Sequence, residues 1–226
     1  MGGYRIQTSG DRFAIVKGRS PVFTPGGRMF ITSIKEIADL VCQDLERYGP
    51  HPKDSLSYVT LHASYTDFGS DIPKSDLIQS AMVGYTADWD IALAKLSAFD
   101  SSWQSGGELL QTEGEGIAID PMMWFGPPED PLVVSTWLGR LHVRAICSLQ
   151  CFGAACQSVH VAYRLLRDEE SFPISLLAKG LIACSECMHP FFGLRGADST
   201  ADEATVFGFL EKVRTYASFP DELIED

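Results

Sequence analysis

The residues with the clearest chemical potential are Cys184-Ser-Glu-Cys187 and the nearby His189. A C-x-x-C pair can supply two thiolates to zinc or a dithiol for redox exchange. A structural metal site needs about four ligands, and redox pairs of this spacing follow a strand at a helix start. This pair instead closes an apolar helical pattern, so buried structural thiols are expected. Nucleophilic catalysis needs a Ser or Cys beside a base, and the five histidines lie at 51, 62, 142, 160 and 189. No G-x-S-x-G elbow frames any serine. Asp67, Asp71, Asp88 and Asp90 could pair as acid and base, yet they occupy loop or helix-start contexts where aspartate commonly caps. Gly114-Glu-Gly116 places an acid where a phosphate would sit, and neither a Walker A pattern nor G-x-G-x-x-G occurs. No catalytic residue, metal or cofactor is assigned, and a non-enzymatic protein is expected.

Eighteen basic and thirty acidic residues among 226 give a net charge of −12, which on average repels nucleic-acid phosphates and anionic lipid. The densest cationic group, Arg140, His142 and Arg144, reads as the solvated face of one helix. With 45% hydrophobic and 21% charged residues the chain has the composition of a folded protein. Cysteines at 42, 147, 151, 156, 184 and 187 are too irregular for the framework of a small secreted domain, so reduced thiols are expected. Met1-Gly-Gly-Tyr lacks the charged region of a secretory signal, and Ile6 stands where a myristoylation motif carries Ser or Thr. These features together predict a soluble, intracellular chain.

The elements that would position these groups change character along the sequence. Tyr4-Arg-Ile-Gln, Arg12-Phe-Ala-Ile-Val and Val22-Phe are short β-type runs broken by Ser9-Gly-Asp and Thr24-Pro-Gly-Gly, which predicts hairpins. From Ser33 the spacing of Ile34, Ile37, Ala38, Val41, Leu45 and Tyr48 predicts a helix, with Ser33 and Glu36 as a capping box and Gly49-Pro50 as its end. Leu56 to Tyr65 fits strand or helix. Pro73 opens a short helix, Val83-Gly-Tyr-Thr reads as a strand, and Asp88 to Phe99 as a helix. Strands near Glu108–Thr112 and Ile117 would complete a small mixed sheet. The proline-rich stretch Pro121 to Pro131 marks the expected domain boundary, followed by helices over Leu132–Ser148, Leu149–Arg167, Pro173–Cys187 and Ala201–Tyr216.

Ala145 to Tyr163 holds nineteen residues without Asp, Glu, Lys or Arg, nearly the length of a bilayer span. Gln150, Gln157 and His160 lie inside it, and burying such groups in lipid without partners costs a few kcal/mol each, on the order of 2–7. A helix, or two joined near Gly153, buried at the centre of a bundle is the better reading. Cys147, Cys151, Ala154, Ala155, Ser158 and Ala162 form a small-residue face that would let a neighbouring helix approach closely.

Ser20-Pro-Val-Phe-Thr-Pro-Gly-Gly-Arg-Met-Phe-Ile-Thr-Ser, followed by Ile34-Lys-Glu-Ile-Ala-Asp-Leu-Val, resembles a strand, T-P-x-G/A turn, strand and amphipathic helix of one known family. That family is the assembly chaperone for the alpha subunit of the F-type ATP synthase catalytic head. Asp76 to Tyr85, Gln111-Thr-Glu-Gly114, the small-residue helix around Gly153–Ala162, Gly193, Asp202-Glu-Ala and Phe209-Leu210 are similar to later family landmarks in the same order. Glu186 stands near a family acidic motif, although the aromatic and glutamine signature after it is here Cys187-Met-His-Pro190.

The resemblance implies an α+β protein: a small N-terminal mixed α/β domain over residues 1–125, then an all-helical domain over 126–226. It also implies a chaperone of the mitochondrial matrix that shields the alpha subunit, with no membrane insertion and no direct nucleic-acid contact. Glu186 would contact the client, with Trp124, Phe125, Phe191 and Phe192 as aromatic partner-binding residues because large side chains dominate interfaces. The alternative expectation is a permanent structural subunit of a large mitochondrial complex, the synthase or the mitochondrial ribosome.

Overall fold

The computed structural model describes residues 3–50, 57–69, 71–86, 88–104, 121–167, 173–183 and 203–222. A small antiparallel sheet near the N-terminus is followed by helices, which is the expected α+β layout. β1 (Tyr4–Ser9) pairs with β2 (Arg12–Lys17) through a two-residue turn. Its first central residue, Gly10, has φ 62°, the left-handed setting that a II′ hairpin turn requires. β2 also pairs with β3 (Ser20–Pro21) and β4 (Ile31–Thr32). The Thr24-Pro-Gly-Gly turn between these two strands is held by Asp67, whose carboxylate accepts from Thr24 Oγ1 and from the Gly26 N–H at 2.9 Å.

α1 (Lys35–Tyr48) covers the sheet with Ile37, Ala38, Val41 and Leu45, all fully buried at the predicted helical spacing. Gly49 ends it with φ 79°. The predicted capping box does not form. The helix starts one residue later, with Ile34 at the N-cap, and the Ile34 N–H donates to Thr32 Oγ1 instead. The ambiguous stretch after it is α2 (Tyr58–Ser64), capped by Ser57, running into a π-helical turn at Tyr65–Gly69. Asp44 of α1 joins three helices: it accepts from the Tyr58 N–H at 2.8 Å and from Lys212 Nζ at 3.1 Å.

α3 (Lys74–Gly84) absorbs the beginning of the predicted Val83–Thr86 strand, because Tyr85 is drawn into the core and its hydroxyl bonds the Glu129 backbone. α4 spans Ile91–Gln104 and α5 spans Pro121–Phe125, inside the proline-rich stretch. Then come α6 (Pro131–Leu138), α7 (Val143–Cys156), α8 (Val159–Arg167), α9 (Ile174–Ala183) and α10 (Glu203–Ser218). The helix breaks therefore fall at 139–142 and at Gln157, not at Ser148–Leu149. Gln157 adopts φ 53° and returns its side of the chain to α7 through the Ser158 N–H, which donates to Gly153 O. That turn splits the uncharged stretch, and no described helix is long and apolar enough to cross a membrane.

One apolar core runs from Ile15 and Phe30 under the sheet through Phe125, Phe152 and Tyr163 to Tyr216, so it is continuous across residue 125. The expected strands at Glu108–Thr112 and Ile117 lie outside the described residues. The four described cysteines, Cys42, Cys147, Cys151 and Cys156, are free thiols.

Two helical glycines give opposite expectations. A Cβ on Gly180 of α9 would lie 2.6 Å from Trp124 Cβ and 2.9 Å from Phe125 Cε1, so Gly180→Ala should cost about 1–3 kcal/mol by overpacking the α5 contact. Gly208 in α10 is exposed with open space beside it, so Gly208→Ala should stabilise by about 0.5–1 kcal/mol. Urea midpoints of the two variants should move in opposite directions.

Candidate functional site

Among the described residues the largest fully buried side chain is Arg144, in the first turn of α7. Expected on a solvated basic face, it has no exposed side-chain area, because the turn at 139–142 rotates it into the core. Its guanidinium donates to Glu222 Oε1 at 2.9 Å, to Tyr216 Oη at 2.7 Å and to the Pro220 carbonyl at 3.1 Å. Its Cζ lies 4.0 Å from the Tyr65 ring centroid and 5.1 Å from that of Tyr216. Glu222 in turn accepts from Thr32 Oγ1 and the Ser33 N–H, tying segment 219–222 to the end of β4.

His62 completes this cluster. Its Nε2 faces the Ile31 carbonyl at 3.3 Å, which can only accept, so in the neutral ring Nδ1 accepts from Tyr216 Oη at 2.8 Å. Burial, reinforced by the Arg144 charge, pushes the imidazole from 6.5 down to about 4. Asp221 closes the same end of α7 by accepting from the Val143 and Arg144 N–H groups, both at 2.8 Å.

A second buried cluster holds the other end of α7. Asp90 Oδ1 accepts from Ser158 Oγ at 2.7 Å and the Leu93 N–H at 3.1 Å, while Oδ2 accepts from the His160 N–H at 2.7 Å. One carboxylate thus serves the N-termini of both α4 and α8. Burial still raises its pKa against these donors. The residue types are Ser, His and Asp, but the geometry is not nucleophilic. Ser158 Oγ bonds the carboxylate rather than an imidazole, and His160 Nε2 donates to the Phe125 carbonyl at 2.9 Å. All three side chains are buried, and burial lowers the His160 pKa.

Between these clusters lies a groove of about 900 Å3 along α3 and α7. Its walls use Asp76, Leu77, Ser80, Ala81 and Gly84 from one face of α3, and Cys147, Gln150, Cys151, Ala154 and Gln157 from one face of α7. The two helices run parallel, since Gln150 Nε2 donates to Leu77 O at 2.9 Å and a Cβ on Gly84 would sit 2.9 Å from Val159 Cγ2. Of the expected small-residue face only Cys147, Cys151 and Ala154 share the groove side of α7, because Ala155 is buried and the left-handed turn at Gln157 carries Ser158 and Ala162 out of that helix. Cys147 receives the close approach of Gly69, whereas Ala154 is left exposed on the groove. Phe68, Ile72 and Trp89 form the rim, with Trp89 74% and Phe68 56% exposed. Burial pushes Cys147 up to about 12 and Cys151 up to about 11, so both thiols are inert packing groups.

Of the residues expected to bind a partner, Phe125 is only 1% exposed and its ring packs in the core, so it offers no contact surface. Trp124 is partly buried against that core. Glu186, Phe191 and Phe192 lie outside the described residues, as do Cys184, Cys187 and His189. Among the described residues no three His, Cys, Asp or Glu side chains gather as a metal site would require. Phe68 and Trp89 were not expected at a site. Trp89 had a signal, an aromatic residue between two aspartates at a helix start, whereas Phe68 is displayed by a π-helical turn that no periodicity announces. Compared with known proteins, the chain matches no family model, no curated protein and no solved structure.

Arg144→Ala should cost about 3 kcal/mol, the low end for breaking a buried pair, because Glu222 retains 17% side-chain exposure. Equilibrium denaturation would measure it. The His62 pKa is lower in the folded protein than unfolded, so the folded state binds fewer protons between about 6.5 and 4. Its contribution is present above pH 6.5 and is lost as pH falls toward 4, by up to roughly 3 kcal/mol. The dependence of stability on pH in that window should be flatter for His62→Gln than for the natural chain.

Proposed function

We propose that this protein is a non-enzymatic holding chaperone that binds the alpha subunit of the ATP synthase catalytic head in the mitochondrial matrix. The observation that carries the reading is the α3–α7 groove. An apolar trough rimmed by exposed Trp89, Phe68 and Ile72 is a surface that a protein partner would cover. The identity of the client rests on the collinear sequence resemblance, above all the Ser20–Ser33 segment and the helix after it. Those residues form a β3–turn–β4–α1 unit, the kind of unit the resemblance implies.

The mechanism is competition for one surface. A subunit that awaits its partner exposes an apolar interface, and covering that interface prevents aggregation until assembly replaces the chaperone. Such holding needs no nucleotide or metal. Glu186 remains the contact proposed from resemblance and Trp124, Phe191 and Phe192 those proposed as large aromatic side chains, and Trp89 and Phe68 join them from geometry.

Affinity purification of the native protein with chemical cross-linking and mass spectrometry tests the client. The alpha subunit should be recovered, and the double variant Phe68→Ala/Trp89→Ala should lose at least tenfold of it, ~1.4 kcal/mol, with its melting temperature unchanged. Failure to recover the alpha subunit with the natural chain would remove that client. Stoichiometric co-migration with the whole synthase or the mitochondrial ribosome would instead make the protein a permanent subunit.

A further inference from the structure

We infer that the α3–α7 groove takes a basic amphipathic helix of a protein partner, about three turns long, with its apolar face on the trough and a Lys or Arg at Asp76. The inference rests on the holding-chaperone reading and adds the chemistry of the segment that is held.

Length comes first. The groove-lining positions of α3 run from Asp76 to Gly84 and those of α7 from Cys147 to Gln157, which at 1.5 Å per residue is about 12–15 Å of parallel wall. That accommodates roughly three turns of helix. The floor is built for a backbone to come close: Ala81, Gly84, Gly153 and Ala154 project little, while Phe68, Ile72 and Trp89 stand up around it. A helix laid on small residues between tall ones reproduces a ridge in a groove.

The polar inventory argues against a small polar ligand. Such sites orient their ligand with several convergent polar groups. Here Gln150 is committed to the Leu77 carbonyl, Ser158 to Asp90 and Ser64 to Cys151, and the remaining polar side chains, Asp76, Ser80 and Gln157, are exposed and spread along the length of the groove. Asp76 is the one charged side chain lining the groove among the described residues. It is exposed at the start of α3, where it accepts from Ser75 Oγ at 3.1 Å. Lys74, two residues before it, donates to the Gly139 carbonyl at 2.9 Å and so is turned toward α6. The site charge is negative, and so is the chain at −12, so a cationic helix is attracted both at long range and at contact.

The test uses a fluorescein-labelled amphipathic 14-residue peptide of Leu, Ala and Lys, titrated with the full chain and followed by anisotropy. Saturable binding is expected, weakening with added salt. Asp76→Lys should weaken it several-fold, and Ala154→Trp, at an exposed position that the new ring fills with groove, should abolish it without lowering the melting temperature. A matching peptide with Glu for Lys should bind at least tenfold more weakly. Equal binding of the Glu peptide, unchanged binding by Ala154→Trp, or no saturable binding at all would overturn the inference. Should the alpha subunit still be captured by Ala154→Trp, the chaperone reading stands and the groove assignment falls; should the natural chain bind the peptide but not that subunit, the reverse holds.

Discussion

The way the sheet meets helices α2, α7 and α10 depends on the burial of one guanidinium. An arginine cannot shed its charge, so placing Arg144 where water cannot reach it obliges the fold to bring it acceptors and π faces. It receives them from distant parts of the chain: Glu222 and the Pro220 carbonyl from the segment after α10, Tyr216 from α10 itself, and Tyr65 from the π-helical turn. Thr32 and His62 then satisfy the acceptors and donors left over. The cluster joins β4, α2, α7 and α10, so the sheet and the helices that follow it are locked in one arrangement. Such a network stabilises less than its bond count suggests, since desolvation offsets much of it, but it penalises every alternative packing that leaves the charge alone.

The Asp90 cluster applies the same logic at the other end of α7. There the buried charge is anionic, and helix N-termini answer it: the N–H groups of Leu93 and His160 point at the carboxylate. α7 is thereby fixed at Val143–Arg144 by Asp221 and at Ser158 by Asp90. A helix held at both ends can afford a middle stretch that is covered on one side only. Ala154 and Gln157 are exposed there, and the groove exists because the clusters, rather than packing over that face, keep α7 in place.

What was legible in the sequence divides along the same line. Features governed by local chemistry could be read: the Gly10 hairpin, the buried face of α1, the proline start of α3 and, of the small-residue face, the Cys147–Cys151–Ala154 part that precedes the break at Gln157. Features governed by distant partners could not. Arg144 sits in a run with Arg140 and His142 and has the pattern of a solvated face; only Tyr65, Tyr216 and Glu222, far away in sequence, make its burial tolerable. Ser33 and Glu36 have the spacing of a capping box, yet Glu222, far away in sequence, takes the Ser33 N–H that the box would have used, and Thr32 Oγ1 takes the Ile34 N–H beside it. Trp124 and Phe125 illustrate the converse, because two adjacent aromatics look alike in sequence while helical geometry sends the second into the core.

The groove therefore has a cost and a logic. Filling it with a larger side chain at exposed Ala154 of α7 would bury more apolar surface, at about 25 cal/mol per Å2, and would stabilise the monomer. The small, exposed Ala154 leaves that area open to an incoming chain, and the exposed ring of Trp89 stands ready to be covered with it. A surface of this kind gains most from a partner when it does not rearrange to receive it, because ordering side chains and backbone on binding consumes affinity. Rigid ends, inert thiols and a small-residue floor meet that condition. The buried charges that look extravagant for stability are, on this account, what keeps an unfilled apolar trough from collapsing onto itself.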